Sequence, residues 1–142
     1  MKYIYFALFI NVFAISCSSR LPKLIRCTSQ QWSVGANNSS GTVYHIVIKA
    51  SADTLRLKID SLYLSNHIIT DFKLSVLGQS NLSSNYRKGD SILISLNHQD
   101  NKGVTEKINK YTVDGKNVIY YSLNKKKHFL RIDPIKVLTP LL

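Results

Sequence analysis

Short runs of alternating apolar and polar residues recur between residues 42 and 138. In the run that begins at Leu55, the apolar residues Leu55, Leu57 and Ile59 alternate with polar ones, which is the period of a β-strand with one buried face. Runs of this kind, rich in β-branched and aromatic residues, occupy positions 42–50, 55–64, 67–77, 91–96, 105–113, 118–123 and 129–138. About seven short strands predict an all-β fold, a single antiparallel β-sandwich or a small barrel.

Turn residues separate the runs. Gly89 and Asp90 precede the run at 91–96, and Asp114-Gly115 predicts a type I′ hairpin, because both central residues of that turn need positive φ. Pro134 interrupts the last run, which places that strand at a sheet edge or divides it at a bulge. The polar stretch 29–41 predicts either a long loop or a first edge strand followed by a loop.

The chain starts with an apolar run of about twelve residues at positions 4–15, interrupted only by Asn11 and preceded by the single charge of Lys2. Twelve helical residues span roughly 18 Å, which is less than the ~30 Å hydrocarbon core of a bilayer. The run therefore predicts the helix of a signal peptide and not a permanent membrane span.

Acidic residues are scarce in this chain. The formal charge is +11, because 19 Lys and Arg stand against 8 Asp and Glu. Arginine, which binds phosphates and bases better than lysine does, occurs only five times. An exported protein also rarely meets nucleic acid, so we expect no nucleic-acid partner.

Patterns that carry catalysis or metal binding are not recognisable. The acidic residues are scattered, and several lie in turns, where aspartate accepts hydrogen bonds from backbone amides. His45, His67, His98 and His128 are isolated and lack the ligand spacing of a zinc site. We therefore predict no catalytic residue, no metal and no cofactor. A hydrolase would require a cleft that gathers Asp and His side chains from separate strands.

Aromatic and basic residues are the candidates for contact with a ligand or a surface. The one dense basic cluster follows a pair of tyrosines and predicts a loop tip that faces water or anionic lipid, or protection of an edge strand. The single tryptophan is either a platform on which a sugar ring stacks or a core or cap residue. The candidates are Trp32, Tyr120, Tyr121, Lys125, Lys126 and Lys127.

The motif Ala14-Ile15-Ser16-Cys17 resembles the lipobox of bacterial lipoproteins, in which a small residue directly precedes a cysteine. The whole chain is similar to the small lipobox lipoproteins of Bacteroidota (Flavobacteria-like) bacteria. The similarity extends to Gln31-Trp32, Gly35, Gly41 and Tyr44, to Tyr86-Arg87-Lys88-Gly89-Asp90 before Ile92-Leu93-Ile94, and to Val118-Ile119-Tyr120-Tyr121. The resemblance implies cleavage after Ser16 and lipid attachment to Cys17.

The resemblance also implies a place in the cell. In such bacteria, acidic residues just after the cysteine favour export to the cell surface, and Ser18-Ser19-Arg20 lacks them. The implied position is therefore in the cell envelope, on the outer membrane and facing the periplasm. On this interpretation residues 1–16 are the signal peptide, 17–26 a lipid-anchored tether and 27–142 the β-sandwich domain.

The domain is expected to be non-catalytic, with a binding or structural role. Its partners are membrane lipid through acylated Cys17 and, in addition, an envelope protein or an anionic polymer. Three alternatives are an accessory subunit of an envelope complex, a soluble secreted protein in which Cys17 pairs with Cys27, and a hydrolase. If Cys17 carries lipid, Cys27 is an unpaired thiol.

Overall fold

The computed structural model describes residues 21–34, 39–79, 85–99 and 116–141, and in this part the chain forms nine strands and no helix. The strands are β1 (Lys23–Val34), β2 (Ser39–Lys49), β3 (Leu57–Leu64), β4 (His67–Ile69), β5 (Lys73–Val76), β6 (Ser91–Gln99), β7 (Val118–Leu123), β8 (Lys126–Arg131) and β9 (Lys136–Leu141). They form two sheets around one core, so the predicted all-β sandwich is confirmed. The predicted signal peptide, Cys17, the run at 105–113 and the Asp114-Gly115 turn lie outside the described residues.

The two sheets differ in size and in strand direction. One sheet has the order β5-β6-β2-β1-β9, and the other has the order β4-β3-β7-β8. The described neighbours are antiparallel except for β1 and β9, which are parallel. This pair differs from the antiparallel arrangement that the sequence predicts. After β8 the chain crosses to the five-stranded sheet, where β9 runs in the same direction as β1.

The core lies between the sheets and is built from alternate residues of each strand. Across β2 and β6, Ile46 pairs with Ile94 and Ile48 pairs with Ile92, and these four side chains are fully buried. Leu57, Leu62 and Ile119 belong to the same core cluster on the four-stranded sheet. At one end of the core, the buried Tyr86 donates a hydrogen bond from its hydroxyl to the backbone oxygen of Leu57.

Strand β1 begins at Lys23, before the domain start predicted at residue 27. It continues to Val34 and pairs with β2 on one side and with β9 on the other, so the stretch 29–41 is neither a long loop nor an edge strand. The sequence pattern did not reveal this strand, because its buried inward residues include Cys27 and Ser29 instead of large apolar side chains. On its outer face, Gln30 donates a hydrogen bond from Nε2 to the backbone oxygen of Thr139 at 2.8 Å, which connects β1 to β9.

Two of the predicted strands each divide into two strands that belong to different sheets. The run at 67–77 forms β4 and β5, and the run at 129–138 falls into β8 and β9. Asp133 and Pro134, joined by a cis peptide bond, lie between β8 and β9. Division at Pro134 was one of the two predicted outcomes, and it follows from the missing N–H of proline, which cannot donate to a ladder.

Two hairpins turn on residues with positive φ and no glycine. Ser65 and Asn66 connect β3 to β4 with φ of 49° and 67°, and Asn124 and Lys125 connect β7 to β8 with φ of 50° and 66°. Positive φ at both central residues is type I′ geometry, whose twist matches that of the flanking strands. Asparagine tolerates this conformation because its side chain is short and polar. The Asn124-Lys125 turn therefore places the start of the lysine run at a hairpin tip.

Candidate functional site

Aromatic side chains lie on three adjacent strands of the four-stranded sheet, on its outer face. Tyr120 of β7 is directly opposite Phe129 of β8, and Tyr63 of β3 lies near the Ser61–Tyr120 pair. Burial and, to a smaller extent, the neighbouring Tyr63 raise the pKa of Tyr120. We call Tyr63, Tyr120 and Phe129 the aromatic face, of which Tyr120 and Phe129 reach the surface while Tyr63 is buried. Phe129 is 50% exposed, so this face presents an apolar ring to solvent that a sugar or another protein can contact.

Beside the aromatic face, Asp60 accepts hydrogen bonds from two side chains. Nζ of Lys127 lies 3.0 Å from Oδ2 of Asp60, and the hydroxyl of Ser122 donates to the same oxygen at 2.7 Å. The register between β3 and β7 shifts at this point, which brings an additional residue of β3 beside two positions of β7. Asp60 partly offsets the charge of Lys127, which therefore attracts an anionic ligand less strongly than an unpaired lysine does.

The lysine run and the two tyrosines do not form one surface, because one of the tyrosines lies in the core. Lys125 is in the hairpin turn, Lys126 and Lys127 are exposed on β8, and Tyr120 is on the outer face of the sheet. Tyr121 is different, because it is only 2% exposed and belongs to the core cluster. Its ring stacks on that of His128, with ring centroids 5.4 Å apart. Tyr121 therefore has no surface with which to contact a ligand.

Trp32 lies on the outer face of the other sheet, on the opposite side of the molecule from Tyr120. Its indole lies close over Gly41 of β2, and its Nε1 donates a hydrogen bond to Oδ1 of Asn97 on β6 at 2.9 Å. The side chain is half-buried. Trp32 is thus outside the core cluster, and it covers Gly41 and connects three strands.

Basic side chains gather at the end of the sandwich where β1 begins. Lys23 pairs with Lys49, the last residue of β2, and Lys49 pairs with the first residue of β6. At the same end, Arg56, Lys88 and the hairpin residue Asn124 line an open pocket of about 510 Å³. We call Lys23, Lys49, Arg56, Lys88 and Lys125 the basic end.

The loops of the basic end are held by hydrogen bonds to two aspartates. Oδ1 of Asp53 accepts a hydrogen bond from the backbone N–H of Arg56 at 3.2 Å. Oδ2 of Asp90 accepts one from the backbone N–H of Arg87 at 2.8 Å, around a turn in which Gly89 has φ of 92°. This confirms the turn predicted before β6. The two carboxylates therefore bind backbone amides, and the basic side chains around them face solvent.

Leu55 is 97% exposed in the loop between β2 and β3, at the basic end. The loop is fixed to its neighbour, because the backbone N–H of Thr54 donates to the oxygen of Tyr86 at 3.1 Å and the hydroxyl of Thr54 accepts from the N–H of Tyr86 at 2.9 Å. The sequence pattern counted Leu55 among inward-facing residues, and this assignment is wrong. The strand begins only at Leu57, because Asp53 and Arg56 form a turn first.

Cys27 is an unpaired thiol on the inner face of β1 and is 4% exposed. Burial and, to a smaller extent, the charge of Asp133 raise the pKa of this thiol to about 11. The thiolate is the reactive form of cysteine, so Cys27 stays protonated and unreactive in the folded protein at neutral pH.

The acidic and histidine side chains whose contacts are described take part in separate small contacts and do not gather at one site. Asp60 binds Lys127 and Ser122, and Asp133 accepts a hydrogen bond from Nδ2 of Asn117 at 3.0 Å. His67 and His98 bring their ring centroids within 4.9 Å of each other. Within residues 21–34, 39–79, 85–99 and 116–141, no group of three or more His, Cys, Asp or Glu residues can hold a metal ion. No helix in the same ranges is long and apolar enough to cross a membrane.

Comparisons of the whole chain with protein-family models, with curated proteins and with solved structures find no match.

Proposed function

We propose that this chain is a lipoprotein of the bacterial cell envelope, anchored through Cys17 and carrying a non-catalytic β-sandwich with a binding or structural role. One structural observation is consistent with such an anchor and supports the proposal. Strand β1 begins at Lys23, six positions after Cys17 in the sequence. A chain of this length spans at most roughly 20 Å, so lipid on Cys17 holds the sandwich close to a bilayer.

The anchor itself is supported by the sequence. The apolar run at 4–15 and the motif Ala14-Ile15-Ser16-Cys17 have the order of a lipoprotein signal. Two or three acyl chains, at about 0.8 kcal/mol for each buried CH₂ group, hold a small protein on a bilayer almost permanently. By the resemblance to such lipoproteins, the absence of acidic residues from Ser18-Ser19-Arg20 implies a position that faces the periplasm, on the outer membrane.

The non-catalytic role is supported by the contacts of the polar side chains. Asp53 and Asp90 cap turns, and Asp60 binds a lysine and a serine on a sheet surface. The aromatic face supports a binding role, because Phe129 is exposed beside the cations Lys127 and Arg131. An anionic polymer or an envelope protein has the chemistry to contact such a surface.

Metabolic labelling with a palmitate analogue tests the anchor. The wild-type chain is expected to take up the label, Cys17→Ser to lose it, and Cys27→Ser to keep it. The Cys27→Ser variant is the matched control, because it removes the other cysteine of the chain. An unlabelled wild-type protein would contradict the proposal and favour the soluble secreted alternative.

A second experiment tests the binding role of the aromatic face. The purified protein is expected to be retained on heparin or lipopolysaccharide columns in a salt-sensitive manner, and Phe129→Ala is expected to elute at lower salt. Equal elution of both proteins would show that this face does not bind the polymer.

An accessory subunit of an envelope complex is the second candidate. Val137 is 69% exposed on β9, which is the edge strand of the five-stranded sheet as far as the described residues show. An exposed apolar edge is a typical place for a partner strand to pair. Crosslinking in intact cells, followed by mass spectrometry, is expected to recover a protein neighbour attached near β9 if the chain is such a subunit. Recovery of no protein neighbour would contradict this candidate.

A further inference from the structure

We infer that the basic end is a membrane-docking surface, on which Leu55 enters the headgroup region of a bilayer and the surrounding lysine and arginine side chains bind anionic lipid headgroups. This inference rests on the proposed function, because the anchor at Cys17 is what brings the domain to the membrane. It adds a second membrane contact and a fixed orientation of the sandwich.

The direction of β1 determines which end of the sandwich approaches the bilayer. The chain that follows Cys17 reaches the domain at Lys23, and Lys23 is at the basic end. The strand then runs away from this end towards Val34 at the opposite end. A short connection from the lipid therefore holds the basic end nearer to the bilayer than any other part of the described domain.

The charge of this end complements an anionic bilayer. Its five basic side chains come from β1, β2, the loop before β3, the loop before β6 and the hairpin between β7 and β8, so they belong to both sheets instead of following one strand, and two of them, Arg56 and Lys88, line the pocket. Asp53 and Asp90, the acids of these loops, are bound to backbone amides. Basic residues close to an anionic membrane surface are attracted to it individually, so five of them at one end of the sandwich favour one orientation.

Exposed aliphatic side chains lie at the same end. Besides Leu55, Leu77 follows β5 directly and is exposed, with its backbone N–H donating to the oxygen of Ser91 at 2.9 Å. Leu21, just before β1, is exposed as well. Aliphatic side chains surrounded by cations are typical of surfaces that enter the boundary between headgroups and acyl chains. Leu55 has the greatest exposure of the large hydrophobic residues described, so it is the residue expected to enter deepest.

This orientation leaves the other candidate surfaces free. The aromatic face and Trp32 lie on the two outer sheet faces, which flank the basic end on opposite sides. When the basic end contacts the bilayer, both sheet faces stand at its sides and project towards the aqueous compartment. Membrane docking and binding of a ligand on the aromatic face are thus compatible in one molecule.

The test uses the processed lipoprotein, reconstituted into vesicles, with an environment-sensitive fluorophore on one introduced cysteine. The fluorophore is attached at Leu55→Cys or, as the matched control, at Val34→Cys, an exposed aliphatic position at the opposite end. Cys27 is buried and does not compete for the label. In vesicles of phosphatidylglycerol and phosphatidylcholine, we expect a blue shift of emission at position 55 and none at position 34.

Two further comparisons separate the effect of charge on docking from the effect of being held near the bilayer by the lipid anchor. Vesicles of phosphatidylcholine alone are expected to give little shift at position 55. The double variant Arg56→Gln/Lys88→Gln is expected to lower the ratio of docked to undocked protein by about thirtyfold in the mixed vesicles, from about 1 kcal/mol for each basic residue. The matched control Lys73→Gln/Lys116→Gln, which changes one lysine at the middle of the five-stranded sheet and one just before β7, both away from the basic end, is expected to leave this ratio unchanged.

Equal shifts at positions 55 and 34, or no shift at either, would overturn the inference. A shift at position 55 that appears without vesicles and grows with protein concentration would also overturn it, because the surface would then join two copies of the chain. Failure of the anchor is distinguishable from failure of docking. A palmitate-labelled protein without a shift at position 55 contradicts docking alone. An unlabelled protein that still shifts with added anionic vesicles contradicts the anchor alone.

Discussion

The indole Nε1 of Trp32 donates a hydrogen bond to Oδ1 of Asn97 at 2.9 Å, although β1 and β6, which carry these residues, are separated by β2. The residue of β2 directly opposite Trp32 is Gly41, over which the indole lies. Any larger residue there would occupy the space of the ring. One side chain thus connects three strands on the outer face of the sheet, at the end away from the basic end.

Replacing Gly41 by alanine is expected to lower the free energy of unfolding by about 1–3 kcal/mol, because a rigid, well-packed site has no room for an added methyl group. A Cβ at residue 41 would lie 2.5 Å from the backbone oxygen of His98 and 2.8 Å from Cζ2 of Trp32. Equilibrium unfolding in urea, monitored by tryptophan fluorescence and circular dichroism, measures the change.

The double variant Trp32→Ala/Gly41→Ala is the control for this prediction. Removing the indole relieves the contact with the ring but not the contact with the backbone oxygen of His98. The two substitutions are therefore expected to be less destabilising together than the sum of their separate effects. Strict additivity would show that the ring and the glycine do not interact.

The strands that the sequence predicted best are those whose two faces differ in polarity. In β6, Ile92, Ile94 and Leu96 face the core and alternate with residues on the outer face, so a period of two is visible without any other information. In β1, Cys27 and Ser29 are the inward residues, and neither is a typical marker of a strand. The parallel pairing of β1 with β9 was not predictable, because it depends on contacts between the two ends of the chain.

The candidate site was less predictable than the fold. Tyr120 and Tyr121 are neighbours in sequence, and alternation places one on the surface and the other in the core, but the sequence does not show which. The basic end combines residues from distant segments, such as Lys23, Lys88 and Lys125, so no local cluster indicated it. The lysine run was visible as a cluster, but its only described salt bridge connects Lys127 to Asp60 on another strand.

The two side chains that donate hydrogen bonds to Asp60, those of Lys127 and Ser122, are expected to contribute unequally to stability. Lys127 is largely exposed, with 77% of its side chain accessible, so Lys127→Ala is expected to cost less than about 0.5 kcal/mol. The hydroxyl of Ser122 is part-buried and its bond is shorter, so Ser122→Ala is expected to cost about 1 kcal/mol. Denaturant unfolding of both variants, at low and high salt, measures the difference. A larger loss for Lys127→Ala would contradict this order.

Stability is expected to fall as the pH rises above 9. Burial raises the pKa of Cys27 from 9.0 to about 11, so between these values the unfolded chain releases a proton that the folded chain keeps. The folded state therefore loses relative stability, by about 1.4 kcal/mol for each unit of pKa difference. The pKa of Tyr86, raised to about 12 by burial and then by Asp53, extends the fall above pH 10.

Cys27→Ala identifies the part of this pH dependence that belongs to the thiol. The variant is expected to be less stable overall but to show a flatter profile between pH 9 and 10, with the decline above pH 10 retained. The free energy of unfolding measured at intervals of pH tests this. Identical slopes in the variant and the parent between pH 9 and 10 would assign the fall to other groups.

The side-chain amide of Asn117 connects the turn between β3 and β4 to the segment between β8 and β9. Its Oδ1 accepts a hydrogen bond from the backbone N–H of Ser65 at 3.1 Å, and its Nδ2 donates to Oδ1 of Asp133 at 3.0 Å. Asn117→Ala is expected to lower the free energy of unfolding by about 1 kcal/mol, because both hydrogen bonds are near the surface.

The variant Asn117→Asp keeps the acceptor for Ser65 but places a second carboxylate against Asp133. At neutral pH it is therefore expected to be more destabilising than Asn117→Ala. At a pH low enough to protonate one carboxyl group, or at high salt, the Asp variant is expected to recover relative to the Ala variant. Unfolding of both variants across pH and salt measures this. An Asp variant as stable as the parent at neutral pH, or one without recovery in acid, would show that Asp133 does not interact with position 117.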